Sequence, residues 1–331
     1  MDEIHFLSNL NGRCTVSPVQ RLNTYHPESG VALIMVLGIV AIIAAWASTS
    51  AYEDNISIQR IANIQDETRA TMASESALPL TTIVLQEEYL ISNSPPIDSL
   101  DEQWAQDLPP FPIDDGLIAV QLEDLNRYYN LNDLVDNDGV VQPDSVKEVK
   151  RLFSLLDLDQ TLVDALVDWM DENDIPYGVG GAEDSTYYSK DYKIKNARLD
   201  NFSELKLIYG FNAVIVKKLK TVATVRPSSG ITDININTAA PLVLRALFRS
   251  MLALDEEGLF ENRPYDKLSD AINNQPWKQG GNLSRLKVAS DAFMLRTHAM
   301  FGRANVREEY ILSRNGQTVT LLSRERLGWQ F

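Results

Sequence analysis

The residues best placed to do chemistry in this chain are acids. Asp168, Asp171, Glu172 and Asp174 crowd into two helical turns. Glu183 and Asp184 follow across a stretch that contains Pro176, Gly178, Gly180 and Gly181. Asp168 lies one turn before Asp171 and Glu172, so a helix sets their carboxylates on one face. They collect near the C-terminal end of that helix, where the dipole disfavours each anion by roughly 0.3–1 kcal/mol. No basic residue stands between Gln160 and Lys190 to offset them. Hard oxygen ligands in excess, on a loop free to wrap, suit Ca²⁺ with its roughly six to eight oxygens. Zinc calls for His or Cys, and this segment has neither. The competing reading is a solvated acidic loop.

Other chemistries find less support. The single cysteine is Cys14, and His298 is the one histidine after residue 30, placed in alternation with Arg296 and Met300. No nucleophile elbow, P-loop or dinucleotide fingerprint occurs, so no catalytic residue is assigned and the chain reads as a non-enzyme. Asp136-Asn137-Asp138-Gly139 has the look of a calcium loop. Leu134 and Ser145 stand where that template needs acids, so a turn is expected instead. A net charge of −16 repels a phosphate backbone. The stretch ININTAAPLVL is similar to the opening of a helix-hairpin-helix module, but Leu247-Phe248-Arg249-Ser250 replaces the glycine hairpin that grips phosphates. Nucleic-acid binding therefore ranks as a rival, with Lys217, Lys218, Lys220 and Arg226 only a local patch.

Several elements must position the acids. Val31–Ala47 holds no charge, and the uncharged run continues to Tyr52, long enough to span a bilayer core of roughly 30 Å as a helix. Trp46 and Tyr52 suit its outer interface. Arg13 and Arg21 precede it while Glu53 and Asp54 follow, which places the N-terminus in the cytoplasm. The helical pattern runs on to about Tyr89, with Pro79 expected to kink or end it. Asn93 to Asp115 is rich in proline and reads as loop, before a strand over 116–122. Ser145 with Glu148 suggests a capping box, and helices are expected over 160–172, after Asn201, after Asn212, after Pro241 and over 266–273. Residues 293–299, 304–312 and 318–324 alternate with period two, and Asn315-Gly316 signals a hairpin. The economical layout is one sheet interrupted by an inserted helical domain.

SGVALIMVLGIVAIIAAW, with glycine directly before an apolar helix that stays on the chain, resembles the N-terminus of type IV pilins and pseudopilins. It is most similar to the K-type minor pseudopilins of type II secretion systems. EDLNRYYNLNDL, ALVDWMDEND, GGAEDSTYY, NFSELKLIYGF and ININTAAPLVL match in the same order. Most of the wider family has glutamate at the fifth place after the cut; here it is Met35, as the K-type subunits have an apolar residue there.

The resemblance implies an α+β pseudopilin fold: a long N-terminal transmembrane helix packed on a small antiparallel sheet, with a large all-α domain inserted in the sheet. It divides the chain into a leader (1–30), an N-terminal helix (31–92, transmembrane over 31–52), a β core (93–125 and 288–331) and the inserted domain (126–287). It implies cleavage between Gly30 and Val31 by the prepilin peptidase and an anchor containing Val31, Met35 and Trp46. It implies metal binding around Asp168, Asp171, Glu172, Asp174, Glu183 and Asp184. The implied partners are the I-type and J-type minor pseudopilins and the inner-membrane secretion platform. The implied place is the pseudopilus tip, reached from the bacterial inner membrane with the bulk of the chain in the periplasm. A minor pilin of a type IV pilus is the nearest alternative, and the inserted domain argues against it.

Overall fold

In the computed structural model, which describes residues 28–91 and 96–328, a single helix, α1, runs from Glu28 to Ile91. Residues 1–27 of the expected leader lie outside the described residues. The chain divides after Ile61 into two units. In the first, α1 alone is described, and its large apolar side chains from Val31 to Ile61 are exposed. Pro79 neither ends α1 nor splits it. Proline lacks one N–H, so it removes one intrahelical bond, and the packing of this half of α1 holds the helix together through that gap.

The second unit begins at Ala62. Ala70, Ala73 and Ala77 recur at helical spacing and, with Leu85, form the buried stripe of α1. They share a core with Ile118, Phe293, Leu295, Phe301, Tyr310 and Leu312 from one face of an antiparallel sheet. That sheet has the order β1 (Phe111–Ile113), β2 (Gly116–Asp124), β7 (Ala292–Phe301), β8 (Ala304–Asn315) and β9 (Thr318–Arg326). Small alanines let the helix lie close, and the period-two alternation along β7 supplies the apolar face against it. Ser74 enters the same layer and donates to Glu308, while Arg324 bridges Glu308 to Glu75 of α1. Gly116 opens β2 with no room for a side chain: a Cβ there would lie 2.6 Å from the Phe301 ring and 2.7 Å from the Met300 carbonyl oxygen. Gly116→Val should therefore lower unfolding free energy by about 1–3 kcal/mol in urea titrations of the fragment from Ala62 onward.

Strand β1 lies in the proline-rich stretch expected to be loop. It is an edge strand, where Pro112 can sit with no ladder donor to lose. The β8–β9 hairpin turns at Gly316, whose φ of +59° is the left-handed conformation glycine adopts freely.

Between β2 and β7 the chain builds a second, larger core. Its helices are α2 (Pro143–Leu155), α3 (Leu162–Met170), α4 (Asp184–Tyr187), α5 (Ala213–Leu219), α6 (Pro241–Leu247), α7 (Ala253–Glu261) and α8 (Leu268–Ile272). Two short parallel pairs tie it together: β3 (Tyr129–Asn130) with β4 (Ala223–Thr224), and β5 (Ile234–Asn235) with β6 (Leu286–Lys287). The expected capping box at Ser145 does not form. Helix α2 starts earlier, at Pro143, and the Glu148 carboxylate turns inward to Arg285 instead. After Asn201 the chain makes a 3-10 helix, Phe202–Leu207, with the Asn201 side chain accepting from Ser203 N. Helix α7 is an element the sequence pattern did not suggest.

The helical region leaves and rejoins the sheet through buried polar side chains. Asp124, the last residue of β2, accepts from Asn126 N, Thr238 Oγ1 and Ser290 Oγ. Asn235 donates to the Asp98 carbonyl and to Ser290 Oγ. Asn237 exchanges hydrogen bonds with the backbone of Tyr265. The asparagines of ININT are thus consumed within the fold.

Candidate metal centre

Helix α3 is nearly all buried: every residue from Val163 to Met170 is inaccessible, including Asp164 and Asp168. Its apolar residues belong to the larger core, so the acids must be satisfied where they stand. The chain leaves α3 at Asp171, which has an extended backbone, and loops back to Ala182 before α4. That loop crosses α3 at close range. A Cβ at Gly180 would meet the Thr161 carbonyl oxygen at 2.2 Å, and one at Gly181 would meet Asp168 Oδ2 at 2.7 Å. Gly178 has φ +64°. These glycines serve close approach and a left-handed turn rather than looseness.

The return brings Glu183 to the end of α3. Asp168, Asp171 and Glu183 offer carboxylate oxygens that all lie within 4.8 Å of one another, and all three side chains are buried. Asp168 accepts from Tyr177 N at 2.8 Å and from Ala182 N at 2.5 Å. Asp171 accepts from Asn173 Nδ2 through Oδ2, and its Oδ1 is buried without a partner. Both oxygens of Glu183 are buried and unpartnered. Burial, followed by the charges of Asp168, Asp171, Asp174 and Asp184, pushes Glu183 up to about 7. Burial and then Asp168 push Asp171 up to about 6. Burial also raises Asp168, against the two amides that favour its anion. Three clustered carboxylates with three orphaned oxygens form a donor set that a hard cation fits.

The other three acids lie elsewhere. Glu172 is exposed and packs beside Gly139, whose φ is +71°. Asp174 accepts from Asn196 Nδ2, and Asp184 accepts from Ile194 N and pairs with Lys193. Asp136 folds a tight turn by accepting from Asp138 N and Val140 N. Sequence reasoning missed Asp164, although its spacing of one turn before Asp168 on α3 was a usable signal. It accepts from Gly180 N at 3.1 Å and pairs with Lys150 of α2 at 2.6 Å. Val31, Met35 and Trp46 are exposed along the first unit of α1, which also contains Gly30. His298 lies on β7 with Asn305 as its partner.

A family model described as type II secretion system protein K matches residues 128–228, the segment that contains this cluster. A type II secretion system protein K from Pseudomonas aeruginosa is 32% identical over 231 residues, covering 67% of this chain and 68% of that protein. The chain belongs to the type II secretion system protein K family. A protein of the same name from Klebsiella pneumoniae is 27% identical over 326 residues, covering 90% of this chain and 96% of its own. Among solved structures, a chain of the GspK-GspI-GspJ complex of enterotoxigenic Escherichia coli superposes with a TM-score of 0.70. It is 24% identical, spans 82% of this chain and 100% of its own, and shows the same fold. The protein is accordingly a minor pseudopilin of type II secretion, and its family is a structural component of the secretion machinery. Helix α1 is long and apolar enough at its start to cross a membrane.

Proposed function

We propose that this protein caps the pseudopilus of a type II secretion system, binds I-type and J-type minor pseudopilins, and helps assembly begin in the inner membrane. Met35 carries the reading. In a fibre of packed apolar helices each new N-terminal amine is a charge in a poor solvent, and a partner carboxylate removes the cost of leaving it unpaired. Such a cost is on the order of several kcal/mol. A subunit with methionine at that place cannot supply the carboxylate to a neighbour above it. At the tip no such neighbour exists. The large helical region between β2 and β7 supports the same place, since neighbours on all sides would collide with it. The E. coli structure named for a GspK-GspI-GspJ complex supports the choice of partners. The arginines before the apolar run and the acids after it support a cytoplasmic N-terminus and a periplasmic bulk.

Co-purification with the soluble parts of the I-type and J-type subunits should give a stable ternary complex, and immunogold should label fibre ends. Labels spread along the fibre would remove the tip assignment. Processing is a separate expectation. Intact mass from cells with the prepilin peptidase should correspond to a chain beginning at Val31, and an unchanged mass would remove it. The cation assigned to Asp168, Asp171 and Glu183 is Ca²⁺, whose bound form supplies charge balance to a buried acidic corner. Trp169 lies beside Asp168 in sequence and packs against Tyr187 at 5.5 Å, so its fluorescence should report Ca²⁺ addition. An unresponsive Trp169 signal together with silent calorimetry would return this corner to a plain acidic loop.

A further inference from the structure

The geometry points to a division of labour among the acids of α3 and its loop: Asp164 and Asp168 form a clasp that closes residues 177–182 before any cation arrives. Asp171 and Glu183 are left with the open oxygens; that second part rests on the calcium reading above, and the clasp does not. Asp164 and Asp168 stand one turn apart on the same face of α3. Asp164 holds Gly180 N through Oδ2, while Lys150 approaches its Oδ1. Asp168 spends one oxygen on Tyr177 N and the other on Ala182 N. Three amides at 177, 180 and 182 are therefore pinned along a single helix face by two carboxylates. Hydrogen bonds from amides to a charged acceptor are each worth about 1.5–3 kcal/mol, enough to order a short loop without a metal.

The glycines fit this role. Gly181 brings the backbone so near Asp168 that a Cβ would displace the carboxylate or the Tyr177 peptide, both at 2.7 Å. Gly178 has a Cβ position 2.6 Å from Asp164 Oδ2 in addition to its positive φ. Asp171 and Glu183 contrast with this pair: they are 1% and 6% exposed, yet three of their four oxygens meet no donor. Asp168 is thus a positioning residue for the centre, whatever further oxygen contact it makes, and the centre is shaped before it is filled.

Hydrogen exchange read by mass spectrometry on the full chain in detergent tests this, using peptides that cover 173–182 in EDTA and in Ca²⁺. Slow exchange at Tyr177, Gly180 and Ala182 is expected already in EDTA. Asp168→Ala should speed it at Tyr177 and Ala182 roughly 10-fold or more, as each of these two amides loses its hydrogen bond to a charged group. Asp171→Asn and Glu183→Gln should leave EDTA exchange unchanged while weakening Ca²⁺ binding. Should Asp168→Ala fail to fold, Gly181→Ala is the second probe, since it wedges the loop off the clasp with every acid intact. Fast exchange of the wild-type loop in EDTA that slows only with Ca²⁺ would overturn the clasp. So would Asp171→Asn opening the loop as Asp168→Ala does. A Ca²⁺ response absent from the wild type removes the calcium reading, and the EDTA exchange still decides the clasp.

Discussion

Arg285→Met is expected to lower the unfolding free energy by about 3–5 kcal/mol, a large share of what a domain of this size has. Arg285 is 5% exposed and stands between two buried carboxylates, with Nη2 at 2.7 Å from Asp133 Oδ2 and Nη1 at 2.5 Å from Glu148 Oε2. It also donates to the Thr232 carbonyl and to the Tyr129 hydroxyl, over whose ring it lies. These partners come from β3 and the 3-10 turn that directly follows it, from α2 and from the loop before β5, so one guanidinium joins three separate stretches of chain. Burial pushes Asp133 and Glu148 up even with the arginine between them. Methionine keeps most of the volume but strands both acids in the core, and that stranding sets the size of the effect. Adding Asp133→Asn and Glu148→Gln to Arg285→Met should recover most of the loss. Urea titration of the fragment from Ala62 onward measures both. A loss below about 1 kcal/mol for the single variant would show that the guanidinium does not hold this junction.

The parts of the fold legible in the sequence are those whose signal is local. Alternation along 292–301 and 304–315 reports a half-buried strand because side chains change face at every residue. Asn315-Gly316 reports the hairpin because its turn needs the positive φ that Gly316 adopts. The anchor is legible because seventeen residues without a charge have few other uses. Strand β1 was not legible, since proline marks loops in general and only its edge position makes Pro112 acceptable. The same holds for Glu148. Its spacing from Ser145 suits a cap, but its real partner, Arg285, lies far along the chain.

The candidate centre shows a similar limit. Sequence spacing put six acids in one neighbourhood, and the fold gathers Asp168, Asp171 and Glu183 while giving Glu172, Asp174 and Asp184 other surroundings. What separates them is where backbone amides of the 177–182 loop fall, and composition carries no trace of that. The apparent lack of counter-charge between Gln160 and Lys190 was also a local view. Helix α2 brings Lys150 to Asp164 from outside the interval.

Without calcium, the melting temperature of the protein should fall as pH rises from about 5 to about 8, and the increase produced by calcium should grow over the same range. Glu183 sits at about 7 against an ordinary 4.5, and Asp171 at about 6 against 3.8. Both folded values lie above the unfolded ones. Between them the folded chain keeps protons that the unfolded chain has released, so stability falls as pH rises through 4 to 7. Calcium reverses the preference, because a ligating carboxylate is ionised and binding must expel those protons. At pH 5 the ion competes with protons at both sites. At pH 8 it meets two anions that nothing else neutralises. With free Ca²⁺ at about a hundred times its dissociation constant, the stabilisation is about 2.7 kcal/mol, or roughly 5–10 °C in melting temperature. Scanning calorimetry at pH 5, 6.5 and 8, in EDTA and in excess Ca²⁺, gives the comparison directly. Glu183→Gln should reduce the EDTA trend to the share that Asp171 supplies and lower the calcium increment with it, because Glu183 contributes to both effects. A calcium increment that is equal at all three pH values would mean that the ion is held by groups other than Asp171 and Glu183.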